Sequence, residues 1–527
     1  MSLVGWGFEL YLKKVDRWLR RTAAGAGEVQ HRLLRRIVGQ AAGTWFGRKH
    51  DFASIRDHAD FAQSVPIANY AARQDLYDRT FDGEPNVLWP GRIRYFARTS
   101  GTTAGMKMIP ITRGMRRNQV QAGIAVLACC GRAEKGLMSR IMDGKILFLA
   151  GAQPPLPAGH GAYAGSLTSI ALGWVPWPIS TRYEPGRELA VIGDFEKQVR
   201  QIADRVIHRD VRFFGHMPTW TWILFEQMCA AAHVPEDGGV TKIWPNLEVF
   251  VYGGMNFAPL RPSIDRFFRP DRRPRYYQVY PATEGFIAIQ PNDGVEAMEL
   301  LVANEIFYEF VPLEEWGKPG APRLMVDEVE PDVPYVMVLS TSWGLWAYDL
   351  GDIVRFASVH PPEIVFAGRH EHFMNSFGEH MIEQEVARAV AAAAEATGSR
   401  VMAFTAAPRY PGPGHRAGAI QVLVEFAEAP EGGAGAFAAQ IDRILQSINR
   451  NYMSRRRGDL GMTCAEVVPV PPGTFYAWMK SRGKLGGQHK VPPCANDRRY
   501  ADSVLESVAA SAGPAADGRG GRGEETP

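Results

Sequence analysis

Between residues 92 and 254 the chain alternates short β-forming segments with longer helical segments, and this alternation constrains its fold most strongly. Strands are predicted for the runs RIRYFA, KILFLA, VRFFG and NLEVFVYGG, which begin at residues 92, 145, 211 and 246. Apolar residues at helical spacing predict helices over 113–130, 187–207 and 217–232. Because strands separated by helices pair in parallel, the predicted fold class is α/β with at least partly parallel sheets.

The pattern changes twice further along the chain. From about residue 297, short β-rich runs follow one another, among them AMELLVA, IFYEFVPL, RLMVDEV and YVMVLST, which predicts an antiparallel region. A polar segment over 368–380 then precedes helix 382–396, strands 400–407 and 418–427, helix 434–449 and strand 465–470. A chain of 527 residues is too long for a single hydrophobic core, so more than one domain is expected. We expect a large domain over 1–370, a small α+β domain over 371–505 and a disordered tail over 506–527.

Composition excludes several classes of protein. The chain is 46% hydrophobic and 22% charged with a net charge of +3, so neither general disorder nor nucleic-acid binding is predicted. Its five scattered cysteines lack metal-site spacing and are interpreted as small buried residues. The first 21 residues lack a signal-peptide pattern and predict an amphipathic helix packed on the body, so a cytoplasmic protein without membrane insertion is expected.

The segment from Thr99 to Lys107, TSGTTAGMK, follows a predicted strand and suits phosphate binding. Small residues let backbone N–H groups approach an anion, hydroxyl groups add donors, and Lys107 adds a positive charge. The candidate phosphate-binding residues are Ser100, Gly101, Thr102, Thr103 and Lys107. The segment lacks the Gly-Lys-Ser/Thr of a Walker loop, and by itself it is also compatible with a flexible surface turn.

Two further segments carry candidate ligand-binding groups. After the predicted strand YYQV, Tyr280 could stack on a flat base, Thr283 could bind a phosphate and Glu284 could hold Mg²⁺. In the run Tyr-Asp-Leu-Gly-Asp, Asp352 is a good acceptor for two ribose hydroxyl groups. Each segment alone is equally compatible with an ordinary turn.

The order of the three segments resembles that of adenylate-forming enzymes. The runs YGGMN, FYEFVPLEEW, GDIVRF, FAGRHEHFMNSFGE, WFGRKHDF, NVLWPG and GKLGGQHKVPPCANDR resemble the auxin-responsive (Gretchen Hagen) family of acyl-acid amido synthetases, and the chain is identified as a bacterial member. The resemblance covers residues 40 to 500. It implies a firefly luciferase-like fold: a large N-terminal domain with mixed sheets and a β-barrel, and a small mobile α+β C-terminal domain.

The resemblance also implies an ATP- and Mg²⁺-dependent ligase. A carboxylic acid would be converted to acyl-AMP, and an amine, in the family an amino acid, would then form an amide. Ser100, Thr102, Thr103 and Lys107 would hold the β- and γ-phosphates. Thr283 would bind the α-phosphate, and Glu284 would bind Mg²⁺. Tyr280 and Gly253–Gly254 would contact the adenine. Asp352 and Arg369 would bind the ribose.

Other roles are less determined by the motifs. Lys484 or Lys490 would neutralise the reacting carboxylate and α-phosphate, and Phe214, His216 and Trp220 are the candidates for the acid-binding wall. Relatives carry arginine where this chain has Ala347, and Arg-Leu where it has Pro493-Cys494. Two alternatives stay open: an acyl-CoA ligase, which would share the adenylation step, and a non-catalytic nucleotide-binding relative, for which Ala347 is the reason. The acid, the amine and the oligomeric state are not identified by the sequence.

Overall fold

The computed structural model describes residues 3–99, 107–149, 154–177, 179–190, 192, 194–370, 374–411, 417–457, 462–486 and 489–511. The chain forms two compact units. The first comprises Met1–Phe373 together with Ile382–Ala387 and Gly486–Lys490, and the second comprises Met374–Met381, Arg388–Leu485 and Val491–Pro527. Two short segments thus return to the first unit, which the sequence did not predict.

The helices are α1 (Leu3–Ala24), α2 (Ala26–Ala41), α3 (Trp45–Lys49), α4 (His58–Ser64), α5 (Gln74–Phe81), α6 (Arg113–Cys130), α7 (Leu137–Asp143), α8 (Leu167–Ala171), α9 (Arg187–Ala190), α10 (Phe195–Val206), α11 (Pro218–Ala231), α12 (Gly239–Ile243), α13 (Arg261–Asp265), α14 (Glu383–Ala396), α15 (Gly433–Ile448), α16 (Arg450–Arg456), α17 (Thr474–Ser481) and α18 (Arg499–Ser511). In the part of the chain that the structure describes, no helix combines the length and hydropathy needed to cross a bilayer.

The strands are β1 (Tyr95–Arg98), β2 (Met108–Ile111), β3 (Lys145–Phe148), β4 (Leu156–Gly159), β5 (Ala162–Gly165), β6 (Tyr183–Glu184), β7 (Val211–Gly215), β8 (Val249–Gly253), β9 (Arg275–Ala282), β10 (Gly285–Ile289), β11 (Met298–Leu300), β12 (Ile306–Pro312), β13 (Pro334–Thr341), β14 (Tyr348–Val359), β15 (Pro362–Arg369), β16 (Arg400–Arg409), β17 (Ala419–Glu428) and β18 (Glu466–Val470).

An 11-stranded sheet organises the first unit, in the order β12-β13-β14-β15-β11-β10-β9-β8-β7-β3-β6. The five strands from β9 to β6 are parallel, as the alternation of strands and helices predicts. The strands from β9 to β12 are antiparallel, so the region predicted to be antiparallel continues this same sheet. A second sheet, β2-β1-β5-β4, carries the first glycine-rich segment between β1 and β2.

Both faces of the parallel half are covered by helices, because successive strand residues point to opposite faces. On β8, Val249 and Val251 pack in one core with residues of α1, α6 and α7. Phe250, between them, packs in the other core with residues of α10 and α11. Such coverage explains why β8, Val-Phe-Val-Tyr-Gly, is a continuous apolar run instead of an alternating one.

Several predicted elements agree closely with the structure, and others differ for identifiable reasons. Helix α6 has the predicted bounds and begins after Thr112, whose hydroxyl accepts from the N–H groups of Gly114 and Met115. The predicted helix 187–207 is two helices, and Asp194 caps the second by accepting from the Lys197 N–H group. The run RLMVDEV does not form a strand, and Leu324 makes only an isolated bridge to Phe310.

The second unit contains a three-stranded sheet of order β16-β17-β18, antiparallel and then parallel. Helix α18 continues to Ser511, so the first six residues expected in the tail, 506–511, are helical; residues 512–527 lie outside the described part. Cys464 is exposed, which corrects the interpretation of all five cysteines as buried.

Candidate functional site

The parallel strands β7, β8 and β9 end side by side, and His216, the Gly253–Gly254 pair and Thr283-Glu284 lie at or just after these ends. Gly253 closes β8, and a Cβ atom there would lie 2.7 Å from the Val279 carbonyl oxygen, so only glycine allows this approach to β9. Gly254 follows with φ +82°, the left-handed region that favours glycine. In open α/β sheets, ligands bind beyond the carboxyl ends of the strands, so this edge is the expected position of a site.

The first segment spans the β1–β2 connection. Ser100, Gly101, Thr102 and Thr103 lie outside the described residues, so their phosphate-binding roles stay predictions. On either side of this segment, the Thr99 N–H group donates to the Lys107 carbonyl at 3.1 Å, and the Met108 N–H group donates to the Tyr70 hydroxyl at 3.1 Å. The first bond closes the base of the hairpin from which Lys107 extends.

One phenol joins all three predicted segments. The Lys107 ammonium group donates to the Tyr348 hydroxyl at 3.2 Å, and the same hydroxyl donates to Glu284 Oε1 at 3.2 Å. Burial and the neighbouring Glu284 carboxylate raise the pKa of Tyr348 well above its usual value, so the phenol stays protonated and can donate. Lys107 and Glu284 are thereby brought to one place, although 177 residues separate them in the sequence.

Glu284 lies in the turn between β9 and β10, and its side chain is buried. The Trp343 indole N–H group donates to the Glu284 carbonyl at 3.1 Å, which fixes the turn. Among the described residues, no three His, Cys, Asp or Glu side chains form a metal cluster. A single buried carboxylate nevertheless fits Mg²⁺, which proteins hold with one or two carboxylates while substrate phosphates and water supply the remaining ligands.

Asp352 lies within β14 and is held between two partners. The Tyr280 hydroxyl donates to Asp352 Oδ2 at 2.5 Å, and Arg369 Nε lies 3.0 Å from Oδ1, across the β14–β15 pair. No described residue offers Oδ1 a hydrogen bond of good geometry, although the atom is buried. A buried acceptor without a hydrogen bond fits a ligand hydroxyl group. The Asp352 carboxylate also raises the pKa of Arg369, which keeps the guanidinium charged.

The Tyr280 hydroxyl contact was not predicted from the sequence, which assigned only the ring to adenine. The ring packs edge-on against Phe366 at a centroid distance of 5.6 Å, and the hydroxyl links the second predicted segment to the third. Thr283, beside Glu284, is buried in the same turn. Stacking on adenine and binding of the α-phosphate stay predictions.

The late glycine-rich segment contributes a lysine to this edge. Residues Gly486–Lys490 belong to the first unit, and the Trp220 indole N–H group donates to the His489 carbonyl at 3.1 Å. The Lys490 ammonium group donates to the Gly254 carbonyl at 2.7 Å and lies 3.9 Å from Glu383 Oε1. Lys484 belongs to the second unit. The structure thus places Lys490, of the two candidate lysines, at the glycine pair after β8.

The three residues predicted for an acid-binding wall have different surroundings. Phe214 is fully buried against Phe225, Trp244 and Phe250, as a core residue is. Trp220 is also buried, and it holds the His489 backbone. His216 follows β7 at intermediate exposure, with its Nδ1 atom 3.2 Å from the Thr221 hydroxyl oxygen. We therefore keep His216 as the candidate for contact with the acid.

Desolvation lowers the pKa of His216 to about 3. The ring is therefore neutral near pH 7 and would contribute a hydrogen bond, without a positive charge, to a bound carboxylate. This property also gives a test, because an unfolded histidine titrates near a pKa of about 6.5.

The pH dependence of stability should change when His216 is replaced by glutamine. The pKa of His216 is lower in the folded state than in the unfolded state. The contribution of neutral His216 to the stability of the fold is therefore complete above about pH 6.5 and is lost as the pH falls toward 3. We expect the Tm of the wild type to fall by about 2 °C more than that of His216→Gln between pH 7 and pH 5. Scanning calorimetry measures this difference, and parallel curves would show that His216 is solvated in the folded state.

Both departures from the family pattern occupy structured positions. Ala347 is fully buried with φ +37°, and its N–H group donates to the Ser340 hydroxyl at 2.8 Å. Beside it, the buried Arg73 guanidinium donates to the Trp346 carbonyl, a contact that the sequence did not suggest. Within the second unit, Pro493 and Cys494 pair with β16, where the Ala406 N–H group donates to the Pro493 carbonyl at 2.9 Å.

Sequence reasoning missed three groups at this site: the Tyr348 hydroxyl, the Trp343 indole and the buried Glu383 carboxylate. Tyr348 is the first residue of the third predicted segment, but only the pairing of β13 with β14 shows where it lies. Nothing local in the sequence marks Trp343 or Glu383 as members of the site.

Comparison with known proteins shows a similarity that extends along most of the chain. The GH3 family N-terminal, central and C-terminal domains match residues 16–184, 299–369 and 384–499. The chain is 24% identical to an indole-3-acetic acid-amido synthetase, GH3.8 of Oryza sativa subsp. indica, over 91% of this chain and 90% of the relative. It is 26% identical to a probable indole-3-acetic acid-amido synthetase, GH3.2 of Oryza sativa subsp. japonica, over 91% and 90%.

Solved structures with the same fold include two kinds of ligase. The AtGH3.15 acyl acid amido synthetase in complex with 2,4-DB superposes with a TM-score of 0.76 at 17% identity, covering 94% of this chain and 96% of that one. A 2-hydroxyisobutyryl-CoA ligase in its postadenylation state gives 0.52 at 14%, covering 94% and 92%. The fold is therefore that of adenylate-forming enzymes, and with all three of its domains matched, the chain belongs to the GH3 family.

Proposed function

We propose that this chain is an acyl-acid amido synthetase that uses ATP to activate a carboxylic acid and then joins the acyl group to an amine. The observation that carries the proposal is the Tyr348 hydroxyl, which bonds both Lys107 and Glu284 and so unites the three segments. A cation and a carboxylate held 3.2 Å from one phenol suit a polyphosphate and its divalent cation. The family, and the names its relatives carry, support the same reaction.

The proposed reaction has two steps. A carboxylate oxygen of the acid attacks the α-phosphorus of ATP, forming acyl-AMP and releasing pyrophosphate. The amine nitrogen then attacks the acyl carbon, the amide C–N bond forms, AMP leaves with the electrons of the acyl C–O bond, and the amine loses one proton. No covalent enzyme intermediate is needed, because the mixed anhydride is already activated. The amine is proposed to be an amino acid, as the resemblance to the family implies.

The roles follow from charge and position. Lys107, with Ser100, Gly101, Thr102 and Thr103, is proposed to bind the β- and γ-phosphates, where negative charge accumulates as pyrophosphate leaves. Bound Mg²⁺ would neutralise phosphate charge, and Glu284 is the residue proposed to hold it. Thr283 is proposed to contact the α-phosphate.

The nucleoside is assigned to the region between Asp352 of β14 and the glycine pair after β8. Asp352 Oδ1, buried and without a hydrogen bond from the described residues, is the proposed acceptor for the ribose, with Arg369 beside it. Tyr280 and the Gly253–Gly254 backbone are proposed to border the adenine. Lys490 is proposed to face the reacting carboxylate and α-phosphate, because its ammonium group already lies at Gly254.

Acid-dependent exchange of labelled pyrophosphate into ATP tests the first step. A panel of carboxylic acids identifies the best substrate, and Lys107→Ala should then lower exchange by about 100-fold, since one charged transition-state contact is lost. Lys318→Ala, an exposed lysine paired with Glu315, serves as the matched control and should leave exchange unchanged. Normal exchange by Lys107→Ala would remove Lys107 from the proposed site.

The second step separates the amide-forming ligase from its alternatives. With the best acid, an amino acid pool and coenzyme A are supplied in separate reactions, and the products are identified by mass. An amide supports the proposal, whereas a thioester without amide would make the chain an acyl-CoA ligase. ATP binding without adenylate for any acid would make it a non-catalytic relative.

A further inference from the structure

The N-terminal helix α1 presents two different faces. Phe8, Leu12 and Leu19 are buried and pack with residues of α6 and α7. On the outward side, Trp6, Leu10, Tyr11 and Trp18 are exposed by 56, 41, 47 and 39%. The expected packing of this helix on the body is thus observed, but it leaves two indole rings, a phenol and a leucine in solvent.

The same outward side carries cations and no acid. Lys14, Arg17 and Arg21 are exposed, and no residue in the described part of the chain forms an ion pair with them. At about 100° per residue, these cations and the four exposed apolar residues fall within an arc of about 140°. We call this arc, from Trp6 to Arg21, the outer face of α1.

Both acidic residues of α1 turn away from the outer face. The Glu9 carboxylate accepts from the Gly136 N–H group at 3.2 Å and pairs with Lys13. Asp16 accepts from Arg132 at 2.5 Å and from Arg20 at 3.0 Å. The negative charges of the helix are thus used in holding it to the body, and the outer face is left uniformly positive.

We propose that the outer face of α1 is a peripheral docking surface for an anionic lipid bilayer. Tryptophan and tyrosine prefer the headgroup region, where the ring is partly buried and its polar atom stays hydrated. Lysine and arginine gain from the negative surface potential of anionic lipid, and their long stems lie along apolar surface. The helix, about 33 Å long, would lie parallel to the membrane and not cross it.

Charge favours this occupant over a second copy of the chain. Two outer faces brought together would oppose three cations with three cations and no acid, which is repulsive. An anionic bilayer supplies both complements at once, negative headgroups for Lys14, Arg17 and Arg21 and an apolar boundary for Trp6 and Trp18. This inference is independent of the proposed enzymatic reaction.

Co-sedimentation of the full chain with large vesicles tests the proposal. Binding to vesicles containing phosphatidylglycerol should exceed binding to pure phosphatidylcholine and should fall as salt is raised. Lys14→Glu combined with Arg17→Glu, and separately Trp6→Ala combined with Trp18→Ala, should each weaken the partition coefficient by at least about tenfold. Unchanged thermal unfolding would show that the variants are folded.

Matched controls place the same changes elsewhere on the exposed surface. Lys318→Glu combined with Arg443→Glu gives the same net charge, and Trp177→Ala removes another exposed indole, which is 74% exposed. Both controls should bind as the wild type does. No wild-type binding, equal losses in the controls, or a wild-type dimer that becomes monomeric in the α1 variants would each overturn the proposal.

Discussion

Glu284→Gln is expected to lower acid-dependent pyrophosphate exchange by about 10²–10³-fold, with little change in thermal stability. Glutamine keeps the size of the side chain and an oxygen that accepts from the Tyr348 hydroxyl, so the network that holds the turn is preserved. It removes the negative charge opposite Lys107 that is proposed to hold Mg²⁺. Exchange measured over a series of Mg²⁺ concentrations should show a higher metal requirement as well as a lower maximum.

Two further variants distinguish the effect of the Glu284 charge from the effect of its hydrogen bond and from that of removing any glutamate. Tyr348→Phe keeps both charges but removes the hydroxyl that bonds Lys107 and Glu284, so a loss of about tenfold is expected without a change in metal requirement. Glu330→Gln changes an exposed glutamate and should behave as the wild type. A Glu284→Gln enzyme with wild-type exchange at limiting Mg²⁺ would exclude Glu284 as the metal ligand.

Most individual helices and strands of this fold could be predicted, because the sequence patterns that indicate them lie within the segments themselves. Helix α6 has helical apolar spacing and a capping threonine, and β7 is the short run Val-Arg-Phe-Phe-Gly, rich in β-forming residues and ending in glycine. The prediction of a single helix over 187–207 was wrong, because a second helix begins at Phe195 and is capped by Asp194. The run RLMVDEV has strand composition but pairs at Leu324 alone, since pairing depends on a partner strand and not on composition.

The candidate site could be predicted as a set of residues but not as an arrangement. Lys107 bonds Tyr348 across 241 residues of sequence, and Tyr280 bonds Asp352 across 72. The second contact depends on the order of strands in the 11-stranded sheet, and the first on how that sheet packs beside the four-stranded one; no local pattern encodes either. The third segment illustrates this, because its Asp-Leu-Gly-Asp run reads as a turn and yet lies inside β14, where Gly351 has φ +85°.

Aromatic residues near a strand end are ambiguous for a related reason. Phe214 and His216 lie two residues apart, but Phe214 is in the core and His216 is at the end of the strand. A sequence shows that both are near the edge of the sheet, whereas the packing of α10 and α11 decides which side chain is covered. The residues that contact the acid therefore need structural evidence even where the family is clear.

Lys490→Ala is expected to lower exchange by about 10²–10³-fold while amide formation from supplied acyl-adenylate stays within about threefold of the wild type. The reason is electrostatic: charge that develops on the reacting carboxylate and α-phosphate in the first step needs a nearby cation. The Lys490 ammonium group lies 2.7 Å from the Gly254 carbonyl, where the proposed nucleotide site begins. In the second step the anhydride already exists, so less depends on this cation.

The neighbouring lysine of the same glycine-rich segment provides the control. Lys484→Ala changes the other candidate by the same number of atoms and charges, and it should leave both steps near wild-type rates. Glu383 gives a second comparison, because its buried carboxylate lies 3.9 Å from Lys490 and accepts no hydrogen bond from the described residues. Glu383→Gln should change the first step more than the second if that carboxylate positions Lys490. Loss of exchange in Lys484→Ala with normal exchange in Lys490→Ala would reverse the assignment, because Lys484 would then be the cation needed for adenylation.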